Sequence, residues 1–120
     1  MFFTASAASQ QAGQQTLGRI FGPKPNADAP TTWATGLAQY DAVCHWGIPD
    51  RGKLQRVSAI TQPVFIANGD SAPMILPHYS HLLAGLIPQA SLKVYPDSGH
   101  GLLFQHHAEF TADVAAFLDT

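Results

Sequence analysis

Pro63-Val64-Phe65-Ile66-Ala67-Asn68-Gly69-Asp70-Ser71-Ala72-Pro73 is the stretch that decides the fold. An unbroken apolar run lies between a proline and the turn pair Asn68-Gly69. A run this short predicts a strand, and its lack of alternation predicts burial on both faces, as in a parallel sheet. Downstream, Pro77 is placed to open a helix that carries Leu82, Leu83, Leu86 and Ile87. Pro88-Gln89-Ala90 breaks that helix. Leu92-Lys93-Val94-Tyr95 then reads as a second strand, whose alternation suits a less buried position. After His106 a last helix places Phe110, Val114, Phe117 and Leu118 on one stripe. Strand, helix, strand and helix over residues 58–120 predict an α/β class with parallel pairing.

The upstream part, residues 1–57, reads as short helices joined by Gly/Pro-rich turns. Phe2-Phe3-Thr4 suits the end of a short strand, and Ser9 suits a helix N-cap. Leu17, Ile20 and Phe21 share one side of that helix, which Gly22-Pro23 stops. Asp28 or Ala29 precedes Pro30, which fits the first turn of a second helix. Trp33, Leu37, Tyr40 and Cys44 recur there at helical spacing and predict one buried apolar face, with Cys44 as a structural thiol. The whole chain, 1–120, is read as a single domain with a helical part (1–57) and a βαβα part (58–120).

Composition narrows the classes of function. Of 120 residues, 46% are hydrophobic and only 12% charged, about half the usual charged share of roughly 25%. So few charges point to surface that a missing partner or missing sequence covers. The formal charge is −2 with no basic stripe, which argues against nucleic acid. No apolar run approaches the roughly 20 residues that span a bilayer. The opening Met1-Phe2-Phe3-Thr4-Ala5-Ser6 lacks a basic n-region, so no signal peptide is expected. A single cysteine excludes an internal disulfide, and a cytoplasmic location is the default expectation.

Chemistry is expected in the two loops that follow the strands, because catalytic groups in open α/β sheets lie beyond the carboxyl ends of strands. The first loop is Asn68-Gly69-Asp70-Ser71-Ala72-Pro73-Met74. The second is Pro96-Asp97-Ser98-Gly99-His100-Gly101. With adjacent parallel strands, both occupy one rim.

These two loops and their spacing resemble the C-terminal part of α/β-hydrolases, especially the haloperoxidase-like esterase group. The resemblance covers residues 58–118 well, and the N-terminal helices are similar, less specifically, to that group's small cap. It implies a truncated, hydrolase-like parallel sheet with cap-like helices. It implies that His100, in Ser98-Gly99-His100-Gly101, matches the general base. The acid of the family lies just before the proline of the first loop, and that position here holds Ala72. No G-x-S-x-G nucleophile elbow occurs in the sequence. The nucleophile, the oxyanion-hole loop and the upstream sheet are therefore expected to be missing.

Asp70 and Asp97 are the nearby carboxylates that are candidates to replace the acid, with Asp70 the first choice. Its alternative role is an Asx side chain that caps the turn after a strand. Ser98 is read as shaping the loop. The pairs His78/His81 and His106/His107 lack a third ligand, so no metal site is assigned to them. The implied parent activity is cofactor-free hydrolysis of carboxylic esters or related acyl substrates. In this chain it is expected to be weak or absent; the alternative is a non-catalytic binding or assembly module on the same scaffold. The expected partners are a second copy of the chain, in a homodimer, and a small acyl or ester ligand.

Overall fold

The computed structural model describes residues 2–25 and 29–119. Three helices come first: α1 (Ala7–Phe21), α2 (Trp33–Gly47) and α3 (Arg51–Ser58). Then follow β1 (Val64–Gly69), α4 (Pro77–Leu86), β2 (Ala90–Tyr95), α5 (Leu102–Gln105) and α6 (His107–Leu118). Among the described residues the sheet has two strands, β1 and β2, paired in parallel from Val64↔Ala90 to Gly69↔Tyr95.

Side-chain alternation along β1 explains the layering. Phe65 faces α6, where its ring lies 6.4 Å from Phe110 and 5.8 Å from Phe117. Asn68 faces the other way, onto α4, where its Nδ2 donates to Ser80 Oγ at 3.0 Å. The two helices thus cover opposite faces of the sheet. Beneath α6, the buried Tyr95 donates its hydroxyl to Asp113 at 2.5 Å, and Lys93 reaches the same carboxylate at 2.6 Å. Burial and this hydrogen bond push the Tyr95 phenol up to about 12.

Several expectations change at this level. β1 is only half-buried from Val64 to Ala67, because one of its edges has no neighbouring strand among the described residues. Phe2-Phe3-Thr4 is not a strand: the Phe2 carbonyl accepts a single bond from Gly101 N–H at 2.8 Å, and Phe3 packs on Gly13 of α1. The cap of α1 is Ser6, whose Oγ accepts from Ser9 N–H; Ser9 itself is buried inside the first turn. Thr32 caps α2, so Ala29 and Pro30 precede that helix, and Asp28 lies outside the described residues. The apolar face of α2 is exposed, with Trp33 81%, Tyr40 67% and Trp46 70% accessible. Cys44 is exposed with it and is not a buried thiol, since no described element covers that face. The last helix does follow His106, as α6 from His107; the addition is a short α5, Leu102–Gln105, just before it.

Candidate functional site

Parallel pairing brings the two loops to one rim, and their contact is close. A Cβ on Gly69 would lie 2.1 Å from Ser98 O and 2.5 Å from Gly99 O, so only glycine fits where the loops touch. Ser71 N–H donates to Ser98 O at 3.0 Å, and the buried Ser98 donates its hydroxyl to Tyr95 O at 2.9 Å. Ser98 therefore shapes the loop from inside.

Asp70 points along this contact. Its Oδ2 accepts from Asp97 N–H at 3.0 Å, and its Oδ1 accepts from Ser98 N–H at 3.2 Å and from Ser71 Oγ at 2.9 Å. Desolvation works to raise its pKa, but the amide and hydroxyl donors, with the nearby His106, outweigh it and hold the carboxyl below its ordinary value. The carboxylate clamps one loop onto the other. Asp97 sits in the left-handed region at φ 49°. It accepts from Ser6 Oγ at 2.5 Å and Thr4 Oγ1 at 2.6 Å, and these bonds hold its pKa down.

His100 follows this pinned segment. Its ring makes no hydrogen bond among the described residues; it meets the edge of Phe2 at 5.4 Å. It lines a cavity of about 330 Å³ together with Ile66, Asn68, Ser80, Leu83 and Leu102. Ala72, at the position of the family's acid, is buried at 1% exposure and turns back to Gly69 O. The structure thus brings His100 and Asp70 to one rim, and directs the Asp70 oxygens to the backbone of the histidine loop.

The remaining histidines are dispersed. His78 stacks on Tyr79 at 4.0 Å, while His106 spans Pro96 O at 3.0 Å and Glu109 at 3.5 Å. Among the described residues, no three metal-ligating side chains converge. No described helix is long and apolar enough to cross a membrane.

The sequence reading missed the groups that hold the histidine loop from the N-terminal side. Ser9 Oγ donates to Gln105 Oε1 at 2.7 Å, and Gln105 Nε2 donates to Asp97 O at 2.8 Å. Thr4, Ser6 and Ser9 lie more than ninety residues from their partners in sequence. No short-range pattern marks such contacts. The one available signal is Gly101, where a Cβ would meet Phe2 O at 2.8 Å.

Comparison with known proteins fits this architecture. An alpha/beta hydrolase fold protein from Chitinophaga pinensis superposes on 99% of the chain with a TM-score of 0.88 and 30% identity. A bromoperoxidase from Bacillus anthracis matches 56% of the chain, with a TM-score of 0.53 and 25% identity. A thermophilic esterase from Thermogutta terrifontis matches 55% with a TM-score of 0.53; at 23% identity it bears on the fold alone. The chain spans 42%, 25% and 24% of these three proteins, respectively. No family model matches the chain, and no curated protein does.

Proposed function

We propose that this chain, a partial α/β-hydrolase, is the histidine-bearing part of a site for carboxylic esters or related acyl compounds, and that alone it supports only slow turnover. One observation carries the reading. The His100 ring lines a largely apolar cavity along the carboxyl half of β1, beside the rim where open α/β sheets hold their ligands. An ester carbonyl held there meets an imidazole free of other hydrogen bonds.

Neutral His100 accepts a proton from water as the water oxygen bonds to the ester carbon. The tetrahedral adduct then expels the alcohol oxygen, which takes the proton back from the imidazolium. Carboxylic acid and alcohol leave, and the histidine is regenerated without a cofactor. Turnover is slow for reasons visible in the residues. No G-x-S-x-G supplies a nucleophile, and both Asp70 oxygens are engaged by loop amides and a hydroxyl. In a serine protease, losing the orienting acid alone costs roughly 10⁴-fold in rate.

The test is turnover of short p-nitrophenyl esters by the chain and by His100→Ala. A small rate that disappears in the variant is expected. Equal rates would remove the catalytic reading and leave the second one, a non-catalytic binding or assembly module. The buried Ala72 at the acid position favours that second reading.

A further inference from the structure

Ser80, in the first turn of α4, is buried at 4% exposure and lines the same cavity as His100. Its neighbour Asn68 decides how its hydroxyl is used. Two backbone groups fix the Asn68 amide: Gly69 N–H donates to Oδ1 at 2.8 Å, and Ile75 O accepts from Nδ2 at 2.9 Å. Both partners have known polarity, so the amide has one orientation. Its other Nδ2 proton goes to Ser80 Oγ at 3.0 Å. Ser80 is the acceptor in that bond, and its own proton is directed elsewhere.

A buried hydroxyl ordinarily finds an acceptor within the protein. Thr16 and Thr111 show the usual helical solution, donating to the carbonyls four residues back, Ala12 O at 2.8 Å and His107 O at 2.7 Å. Ser80 makes no such bond, and no other acceptor takes its proton among the described residues. The cavity is what remains. Its walls are otherwise the apolar side chains of Ile66, Ala67, Ile75, Leu83, Leu102 and Leu103. Both Asn68 donors are already engaged. The side chains around the cavity thus present one hydroxyl proton and one imidazole.

We infer that Ser80 is a carbonyl-binding residue of this cavity, its hydroxyl donating to the carbonyl oxygen of an acyl compound whose apolar remainder lies against the walls. The role of this contact in turnover rests on the esterase reading; the binding of a carbonyl does not. When the water oxygen bonds to the ester carbon, the carbonyl electron pair moves onto the carbonyl oxygen. That oxygen becomes an anion, and the hydrogen bond from Ser80 becomes charge-assisted and stronger. When the alcohol leaves, the pair returns to re-form the carbonyl. Ser80 keeps its proton throughout. Asn68 holds the serine oxygen in place before reaction, and a donor fixed in advance favours the anion without reorganising. Donation from Asn68 also polarises the serine hydroxyl and makes it a better donor.

The probe is methyl butyl ketone, isotopically labelled at its carbonyl carbon, an acceptor that cannot be hydrolysed. Bound to the chain, its carbonyl resonance is expected to move downfield, with proton contacts to the Leu83 methyls placing it in the cavity. Ser80→Ala should bind the ketone about fivefold to tenfold more weakly and lose the shift. Because that variant also strips Asn68 of a partner, Ser80→Cys accompanies it. A thiol still meets Asn68 but is a weak donor, so the shift should shrink in a folded chain. His100→Ala should keep the shift, which assigns the donor to Ser80 and not to the imidazole. Hexane, without an acceptor, should bind the wild-type chain and Ser80→Cys alike. With p-nitrophenyl butyrate, both serine variants should lower kcat by about a hundredfold and change KM far less. A wild-type chain that does not bind the ketone, or binds it with no downfield shift, overturns the inference. So does a shift that survives in both serine variants, or one that disappears in His100→Ala. A chain that shows the Ser80-dependent shift but hydrolyses no ester retires the esterase reading and leaves the carbonyl site standing.

Discussion

At the scale of single residues, the site is defined by what surrounds His100. Ala72 is the informative departure. It is buried. Ala72→Asp inserts a carboxylate at this buried position, and burying a polar group without a partner costs about 2 kcal/mol or more. A lower melting temperature and less than tenfold change in ester turnover are expected, because triad members act as a unit and one restored member contributes little. A gain of about a thousandfold would mean that a nucleophile already lies beside His100. Gly69 makes the opposite case, a residue whose smallness is used. Gly69→Ala places its methyl against the backbone carbonyls of Ser98 and Gly99. The expected loss is at the upper end of overpacking costs, about 3 kcal/mol, read by chemical denaturation. Gly36→Ala, with open space around the added methyl, is the control.

At the scale of elements, the two rim loops and the N-terminal segment behave as one clamped unit. Asp70 ties loop to loop, and Asp97 ties the histidine loop to Thr4 and Ser6. Both carboxyls are held below their ordinary values in the fold. The folded chain therefore binds these protons less readily than the unfolded chain. Their contribution to stability is complete above about pH 4 and is lost as pH falls through the lowered folded values. Melting temperature is expected to drop in that acid window, with the N-terminal segment released first. Asp97→Asn should lower stability near neutral pH and shrink the acid-dependent drop. An unchanged acid profile in that variant would place the sensitivity elsewhere, for instance at Asp113, whose bonds to Lys93 and Tyr95 hold its pKa down in the same way.

At the scale of the whole molecule, the dominant feature is uncovered apolar surface. α2 has no buried residue, and Trp33, Tyr40, Val43 and Trp46 are each more than two-thirds exposed. Soluble monomers seldom carry contiguous apolar patches beyond a few hundred Å². The chain alone is expected to self-associate through α2, most simply as a two-fold dimer. Light scattering coupled to size exclusion at low micromolar concentration should give twice the chain mass. The double variant Trp33→Lys/Tyr40→Lys should give a monomer. A monomeric parent chain with a cooperative thermal transition would set this expectation aside.

The sequence by itself determined the class and order of the C-terminal elements. Pro63 and Asn68-Gly69 bound β1, Pro77 opens α4, and Ser98-Gly99-His100-Gly101 marks the rim loop. These signals are local: proline fixes φ and removes a donor, glycine admits close approach, and apolar runs have a readable period. Tertiary structure alone decided which side chains those elements put to use. Whether Asp70 points at His100 or at the loop backbone depends on the register of two strands and the depth of two turns. Whether the Trp33-Leu37-Tyr40-Cys44 stripe is buried depends on a neighbour that periodicity cannot supply. A stripe records an apolar face, not what covers it; here no described element covers that face, and Cys44 stands in the open.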